Sequence, residues 1–472
     1  MRVCLIIVLL AAVSAPADTI YLKNGRRILA DRVRQNATHV EYDIGDNSYA
    51  IPKSLVDHVD ATGMPLSEPT ADAQKPAAEM PAFTPSVSLD GSQVAVSVIK
   101  NGEVDTSVLD SLDRSGDAQM AASGYFLAVR HEEEAGHRRQ AESYFTHALA
   151  LTPDNAAILT HYAAVLLRGG NYRQALDAAR RATLLAPDSP DAFTVLGFAQ
   201  FMSDRSQEAI RSWKRSLQLR PDATVQQYLA KAQREVTTES DFSERETGHF
   251  TLRYQGRQTS DEFRRQLLQA LEADYNDLAG QLDAEPRYSI PVVLYTDQEF
   301  FDVTQAPSWT SAMNDGKLRI PVSGLTEMTP ELARVLKHEL AHSFINQLSA
   351  GRCPQWLHEG IAQLLEPRTA APFGARLGQL MSGHQALPFN MLEGSFVRFT
   401  TPEARLAYDE SLAAAEYIRD TYGMDDLVRI LRRIAEGSST ESALRATIHS
   451  GYGGLENEVG TFLQEKYGHP SS

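Results

Sequence analysis

The chain has 472 residues, 43% of them hydrophobic and 22% charged, a balance that supports several globular cores and excludes wholesale disorder. Its 45 Lys and Arg against 61 Asp and Glu give a formal charge of −16, so overall electrostatics gives no pull toward nucleic-acid phosphates or an anionic membrane surface. Two cysteines, Cys4 and Cys353, are too few for a disulfide framework.

Met1-Arg2, the apolar run Val3–Val13 and the small-residue stretch Ser14-Ala15-Pro16-Ala17 read as a secretory signal peptide over 1–17. The run is shorter than the ~20 residues of a transmembrane helix, and no later stretch is apolar over that length. The expectation is an exported chain, periplasmic or secreted if the source is bacterial, with no membrane span in its mature form. Residues 18–60 read as a small β-module. Strands at Ile20–Leu22 and Arg27–Leu29 are joined by Asn24-Gly25, and strands at Val40–Tyr42 and Tyr49–Ile51 flank Gly45-Asp46-Asn47. The segment resembles the small β-modules often found just after signal peptides, and it carries no catalytic pairing. Residues 61–118 read as a linker, rich in Ala, Pro, Ser and Thr up to about Leu89, with Val94–Ile99 offering a strand before the next helix.

From 119 to 236 the chain repeats. Pro153, Pro187 and Pro221 are evenly spaced, and the same period relates Ala141, Ala175 and Ala209, then Phe145, Ala179 and Trp213, then Ala148, Ala182 and Ser216. The period, about 34 residues, is that of tetratricopeptide repeats, helix–turn–helix units with small residues where helices touch and Pro where a pair ends. Three repeats are expected, the first with Val129 in place of the usual Gly, followed by a capping helix carrying Val225, Tyr228, Leu229 and Ala232. Such an array either offers a concave surface to a protein partner or serves as a rigid spacer.

Residues 245–470 form the last domain. Phe250–Tyr254 and Pro291–Tyr295 read as strands, separated by a helix with Ser260 as N-cap and Phe263, Leu267, Leu271, Leu278 and Leu282 at helical spacing. Asn314-Asp315-Gly316 turns the chain into Lys317–Val322, which Pro321 assigns to a sheet edge because proline cannot donate a ladder hydrogen bond. Beyond residue 329 the pattern is almost all helical. Thr329 as N-cap and Pro330 at the first helical position open a helix that carries His338-Glu339-Leu340-Ala341-His342, an H-E-x-x-H motif, and Gly351 can end it. Residues four apart share a helix face, so both imidazoles can reach one ion, with Glu339 beside it as general base. A catalytic zinc takes three protein ligands and one open position. Trp356-Leu357-His358-Glu359-Gly360-Ile361-Ala362, on a second helix, supplies two candidates for the third. Adjacent helical residues diverge by ~100°, so one of His358 and Glu359 points at the metal and the other does not.

H-E-x-x-H followed by W-L-x-E-G-x-A resembles the gluzincin metallopeptidases of the thermolysin-like peptidase MA superfamily. The resemblance implies one Zn²⁺ per chain held by His338, His342 and Glu359, with His358 standing where Asn is usual. It implies a zinc-activated water that Glu339 deprotonates, and a transition-state donor for which Tyr408, in Ala407-Tyr408-Asp409-Glu410-Ser411, is the candidate and Tyr417 the fallback. It implies that Gln363 stands where an acidic partner of a zinc histidine is often kept. It also implies that the strand Lys317, Leu318, Arg319, Ile320 binds an extended peptide substrate. Cys353, near the third ligand, reads as a small buried apolar residue. The expected fold class is thus multidomain: a small β-module, an all-α tetratricopeptide solenoid and an α+β zincin-like metallopeptidase domain. The expected function is an exported zinc peptidase whose repeats recruit a partner or substrate; the alternative is a non-catalytic tetratricopeptide scaffold with a vestigial metal domain.

Overall fold

The computed structural model describes residues 18–23, 27–30, 32–36, 38–44, 47–60, 98–135, 137–306, 312–322, 325–396 and 399–468. The chain divides into two compact units, 1–75 with 306–310 and 76–305 with 311–472. The leader over 1–17, the linker over 61–97 with most of the expected Val94–Ile99 strand, and the expected turns at Asn24-Gly25 and Gly45-Asp46 lie outside the described residues.

Short β-branched runs build the first unit from β1 (Asp18–Leu22), β2 (Arg27–Ala30), β3 (Arg32–Gln35), β4 (His39–Ile44), β5 (Asn47–Pro52) and β6 (Val56–Asp60). They pair antiparallel as two three-stranded sheets, β2-β1-β6 and β3-β4-β5, with Ile20 and Val40 fully buried.

The second unit opens on a hairpin, β7 (Ile99–Lys100) and β8 (Glu103–Val104), and continues into α1 (Thr106–Arg114). Three antiparallel helix pairs follow: α2 (Ala118–Glu134) with α3 (Arg138–Leu151), α4 (Ala156–Arg168) with α5 (Tyr172–Leu185), and α6 (Pro190–Met202) with α7 (Ser206–Leu219). Side-chain caps set their starts. Asn155 accepts from the N–H groups of Ala157 and Ile158, and Ser189 accepts from Ala192. The repeat columns, Val129, Ala163 and Gly197 on the first helices and Phe145, Ala179 and Trp213 on the second, are all buried. A Cβ on Gly197 would lie 2.3 Å from Trp213 Nε1, so the large indole requires glycine there. The array closes with α8 (Ala223–Thr238), capped by Asp222.

The last domain is an α+β fold. Its sheet runs β12 (Met313–Asn314), β13 (Leu318–Pro321), β11 (Ile290–Tyr295), β10 (Phe250–Tyr254), β9 (Ser243–Glu246). The three central strands are parallel, and β12 and β9 run antiparallel at the two ends. Around them lie α9 (Asp261–Leu282), α10 (Asp297–Thr304), α11 (Pro330–Ser349), α12 (Gln355–Leu365), α13 (Gly374–Ser382), α14 (Thr401–Tyr422), α15 (Met424–Ala435), α16 (Thr440–Ile448) and α17 (Tyr452–Tyr467). Leu336, Leu340 and Phe344 of α11 share one core with Phe250, Leu252, Val292 and Ile320 of the sheet and with Trp356 of α12. Packing is close where α12 meets α14. A Cβ on Gly360 would sit 2.2 Å from the Ser411 carbonyl oxygen. Among the described residues no helix is long and apolar enough to cross a membrane.

The strand expected at the sheet edge is not there. β13 lies between β11 and β12, with Met313 opposite Arg319 and Asn314 opposite Leu318. β12 stops opposite Arg319, so Pro321 lies beyond the covered stretch, where its missing N–H costs no bond to β12. The polar side chains of this strand face α8. Arg319 is fully buried and reaches Glu235 (2.6 Å), both Asp315 oxygens (3.0 Å) and the Tyr295 hydroxyl (2.7 Å). Lys317 pairs with Glu235 and with Asp204 (2.7 Å), and Lys231 of α8 closes the network on Asp315 at 2.7 Å.

Charges this deep are tolerable only in mutual pairs, and removing one partner strands the others. Glu235→Ala is therefore expected to cost about 3–5 kcal/mol in urea unfolding at neutral pH. The network also sets an acid limit. Burial raises the Asp315 pKa, but Arg319 and Lys231 outweigh it and hold it at about 2. A carboxylate depressed in the folded state gives stability above its ordinary range near pH 4, and that stability drains away as the pH falls toward 2; unfolding midpoints measured across this window should fall accordingly. Gly360→Ala should cost about 2 kcal/mol or more by forcing α12 off α14, read in the same assay.

Candidate metal centre

Two helices carry the site, and each is fixed by local sequence. Thr329 accepts from the Leu332 N–H at 3.1 Å and Pro330 takes the first helical position. The helix ends where Ala350 and Gly351 adopt φ of +51° and +68°. α12 starts after Pro354 and is anchored by Trp356, fully buried against Phe389 at 4.9 Å between ring centres.

This places His338 and His342 one turn apart on α11, with rings crossing at 88° and centroids 4.7 Å apart. Glu359 of α12 comes between them: its Oε2 is 3.5 Å from His338 Nε2, and its Oε1 is 4.0 Å from His342 Nε2. Ligand atoms around a tetrahedral ion with bonds of ~2.0–2.1 Å stand about 3.4 Å apart, so these separations are close to those of a coordination shell. Among the described residues two donor groups are compact enough to hold a metal: His338, Glu339 and His342, and His342, His358 and Glu359. They differ in direction. The rings of His342 and His358 stack at 4.5 Å with planes only 13° apart, whereas the planes of His338 and His342 cross. Buried nitrogens without a hydrogen-bond partner, among them His342 Nδ1 and His358 Nε2, mark this as a pocket whose polar demand the chain alone does not meet. The donor set, imidazoles and a carboxylate, suits a borderline divalent cation.

The electrostatics separate the groups. Burial pushes the Glu339 carboxyl up to about 7, against the pull of His338 and with the help of Glu359. Burial also opposes ionisation of Glu359, but the neighbouring imidazoles, of which His338 at 3.5 Å is the one charged at neutral pH, outweigh it and hold that carboxyl at about 2. Burial drives His342 well below the usual imidazole range and His358 down to about 4, leaving both neutral with free lone pairs. For His338 burial acts the same way, yet Glu359, Glu366 and Glu339 raise it to about 10. A cation would therefore displace a proton from His338.

The other expected residues fall as follows. Tyr408 of α14 packs edge-on against Phe396. Burial, then Glu359 and Glu339, push its hydroxyl well above the ordinary tyrosine range, so it stays protonated. Tyr417 donates instead to Glu458 of α17 at 3.1 Å. Gln363 does not reach a histidine. Its amide donates to the Tyr408 carbonyl at 3.0 Å and the Glu359 carbonyl at 3.3 Å, and its oxygen accepts from Arg368, so its polar atoms are already engaged. Lys317 and Arg319 spend their charges on α8, and Leu318 and Ile320 are fully buried, so none of these four side chains presents itself to a ligand. Cys353 is a free, part-buried thiol raised well above its usual range by burial and Glu359, and it joins neither donor group.

Three residues were missed. Gln355 donates to Glu359 Oε1 at 2.9 Å, a bond that its place four residues earlier on the helix foreshadows. Asn314 of β12 donates to the Glu339 carbonyl at 2.6 Å and to the Ser343 hydroxyl at 2.7 Å. Glu366, two turns beyond Glu359, lies 3.5 Å from His338 Nδ1.

The Peptidase MA superfamily model matches residues 277–465, and the tetratricopeptide repeat model matches 133–197. Among solved structures the chain is similar to "MamA RS-1 ArsTM double mutant" at 20% identity, over 27% of this chain and 70% of that one, with a TM-score of 0.24, too slight a likeness to bear on the fold. No curated protein matches. The two site helices lie within the first match and part of the repeat array within the second, and the chain joins a tetratricopeptide repeat region to a domain of the peptidase MA superfamily.

Proposed function

We propose that the protein is an exported zinc metallopeptidase of the gluzincin type, with one ion held by His338, His342 and Glu359. The observation that carries this reading is the approach of one buried carboxylate to the Nε2 atoms of both histidines, at 3.5 and 4.0 Å. Zinc, when bound, supplies a Lewis acid that polarises the scissile carbonyl and acidifies water. The chain's own residues do the rest. Glu339, with its carboxyl near 7, is poised close to neutral pH to take a proton from the attacking water and hand it to the leaving amine. Tyr408, held protonated, donates a hydrogen bond to the oxyanion. Among the described residues β12 is the last strand on its side of the sheet, so an extended peptide would add there as a further strand, one strand outward from the Lys317–Ile320 segment. Asn314, on that strand, ties the sheet end to the backbone of Glu339. The repeats, a fold that binds proteins, recruit a partner or substrate.

Purified protein should contain about one zinc per chain and cleave members of a peptide library in a chelator-sensitive way. Glu339→Gln should retain the zinc while cleavage falls by about 10²-fold or more. Cleavage that survives this substitution, or no chelator-sensitive cleavage of any peptide, would leave the non-catalytic scaffold as the better reading.

A further inference from the structure

One imidazole receives two carboxylates from the same helix. Glu359 and Glu366 are two turns apart, on one face of α12 and its final cap. Glu359 Oε2 lies 3.5 Å from His338 Nε2, and Glu366 Oε1 lies 3.5 Å from His338 Nδ1. Glu366 is only 3% exposed, so its charge must be balanced locally. Its other oxygen accepts from Arg334 Nη1 at 2.6 Å, and Arg368 Nη1 stands 3.6 Å from Oε1. Arg334 precedes His338 by one turn of α11. The contacts thus run as a chain between the two helices, from Arg334 to Glu366 to His338 to Glu359. His338 Nδ1 is otherwise a buried nitrogen without a partner.

We infer that Glu366, clamped by Arg334, is the positioning residue of the metal centre: its carboxylate takes the Nδ1–H of His338 and so aims Nε2 at the ion beside Glu359. It does the work that Gln363, turned to the backbone, does not. This rests on the metal-binding reading above and assigns that site's orienting group. A carboxylate on the far nitrogen fixes the tautomer of a ligating imidazole and strengthens it as a donor, and its loss typically weakens metal binding about 10- to 100-fold.

The test is zinc affinity of the full chain, measured by competition with a chromophoric chelator. Glu366→Gln should weaken binding about 10- to 100-fold, Arg334→Met should weaken it in the same direction by releasing the clamp, and Gln363→Ala should leave it within about twofold. A third readout needs no variant: nitrogen NMR of the zinc-loaded wild type should find His338 protonated at Nδ1 and ligated through Nε2. Ligation through Nδ1, or wild-type affinity in both Glu366→Gln and Arg334→Met, would overturn the assignment while leaving the metal site standing. Failure of the wild type to bind zinc at all would bring down the metal reading itself.

Discussion

A carboxylate sunk among apolar side chains is unfavourable by several kcal/mol unless something cationic or strongly hydrogen-bonding faces it. Glu359 meets this condition through His338 of α11, which stays protonated beside it, and through the Gln355 amide that donates to it at 2.9 Å. Thr329 fixes where α11 begins, and Trp356 pins α12 in the core. Gly360 lets α12 lie against α14 with nothing between it and the Ser411 carbonyl. The glycine next to the candidate ligand is thus a packing requirement, and the ligand's direction is a consequence of that packing.

The repeats are bound into the same body. α8 closes the solenoid and at the same time supplies Lys231 and Glu235 to the buried charges of Asp315, Lys317 and Arg319. The hairpin that carries those charges also carries Asn314, which holds the carbonyl of Glu339. A continuous set of hydrogen bonds therefore runs from the last repeat helix to the helix of the candidate base. A flexible recruiting arm would show no such seam.

Much of this was legible in the sequence. The period of the repeats, the Thr329-Pro330 start of α11 and the shared face of His338 and His342 follow from spacing alone, because helical geometry is local. What escaped was non-local. Lys317-Leu318-Arg319-Ile320 alternates polar and apolar like a strand with one wet face, yet its polar face meets acidic α8 rather than water. Charge on a strand does not say whether solvent or a counter-ion neutralises it. β12 is two residues long, too short to leave a periodic signal, and so the true end of the sheet was missed. Gln363 stood at the expected spacing but its amide is taken up by backbone carbonyls and Arg368, while Glu366, one turn further on, approaches His338.

X-ray absorption at the zinc edge on the purified chain addresses the central claim most directly. The account predicts a shell of two imidazole nitrogens and carboxylate oxygen, with no sulfur from Cys353. A shell with three imidazoles, one containing sulfur, or the absence of bound zinc would contradict it.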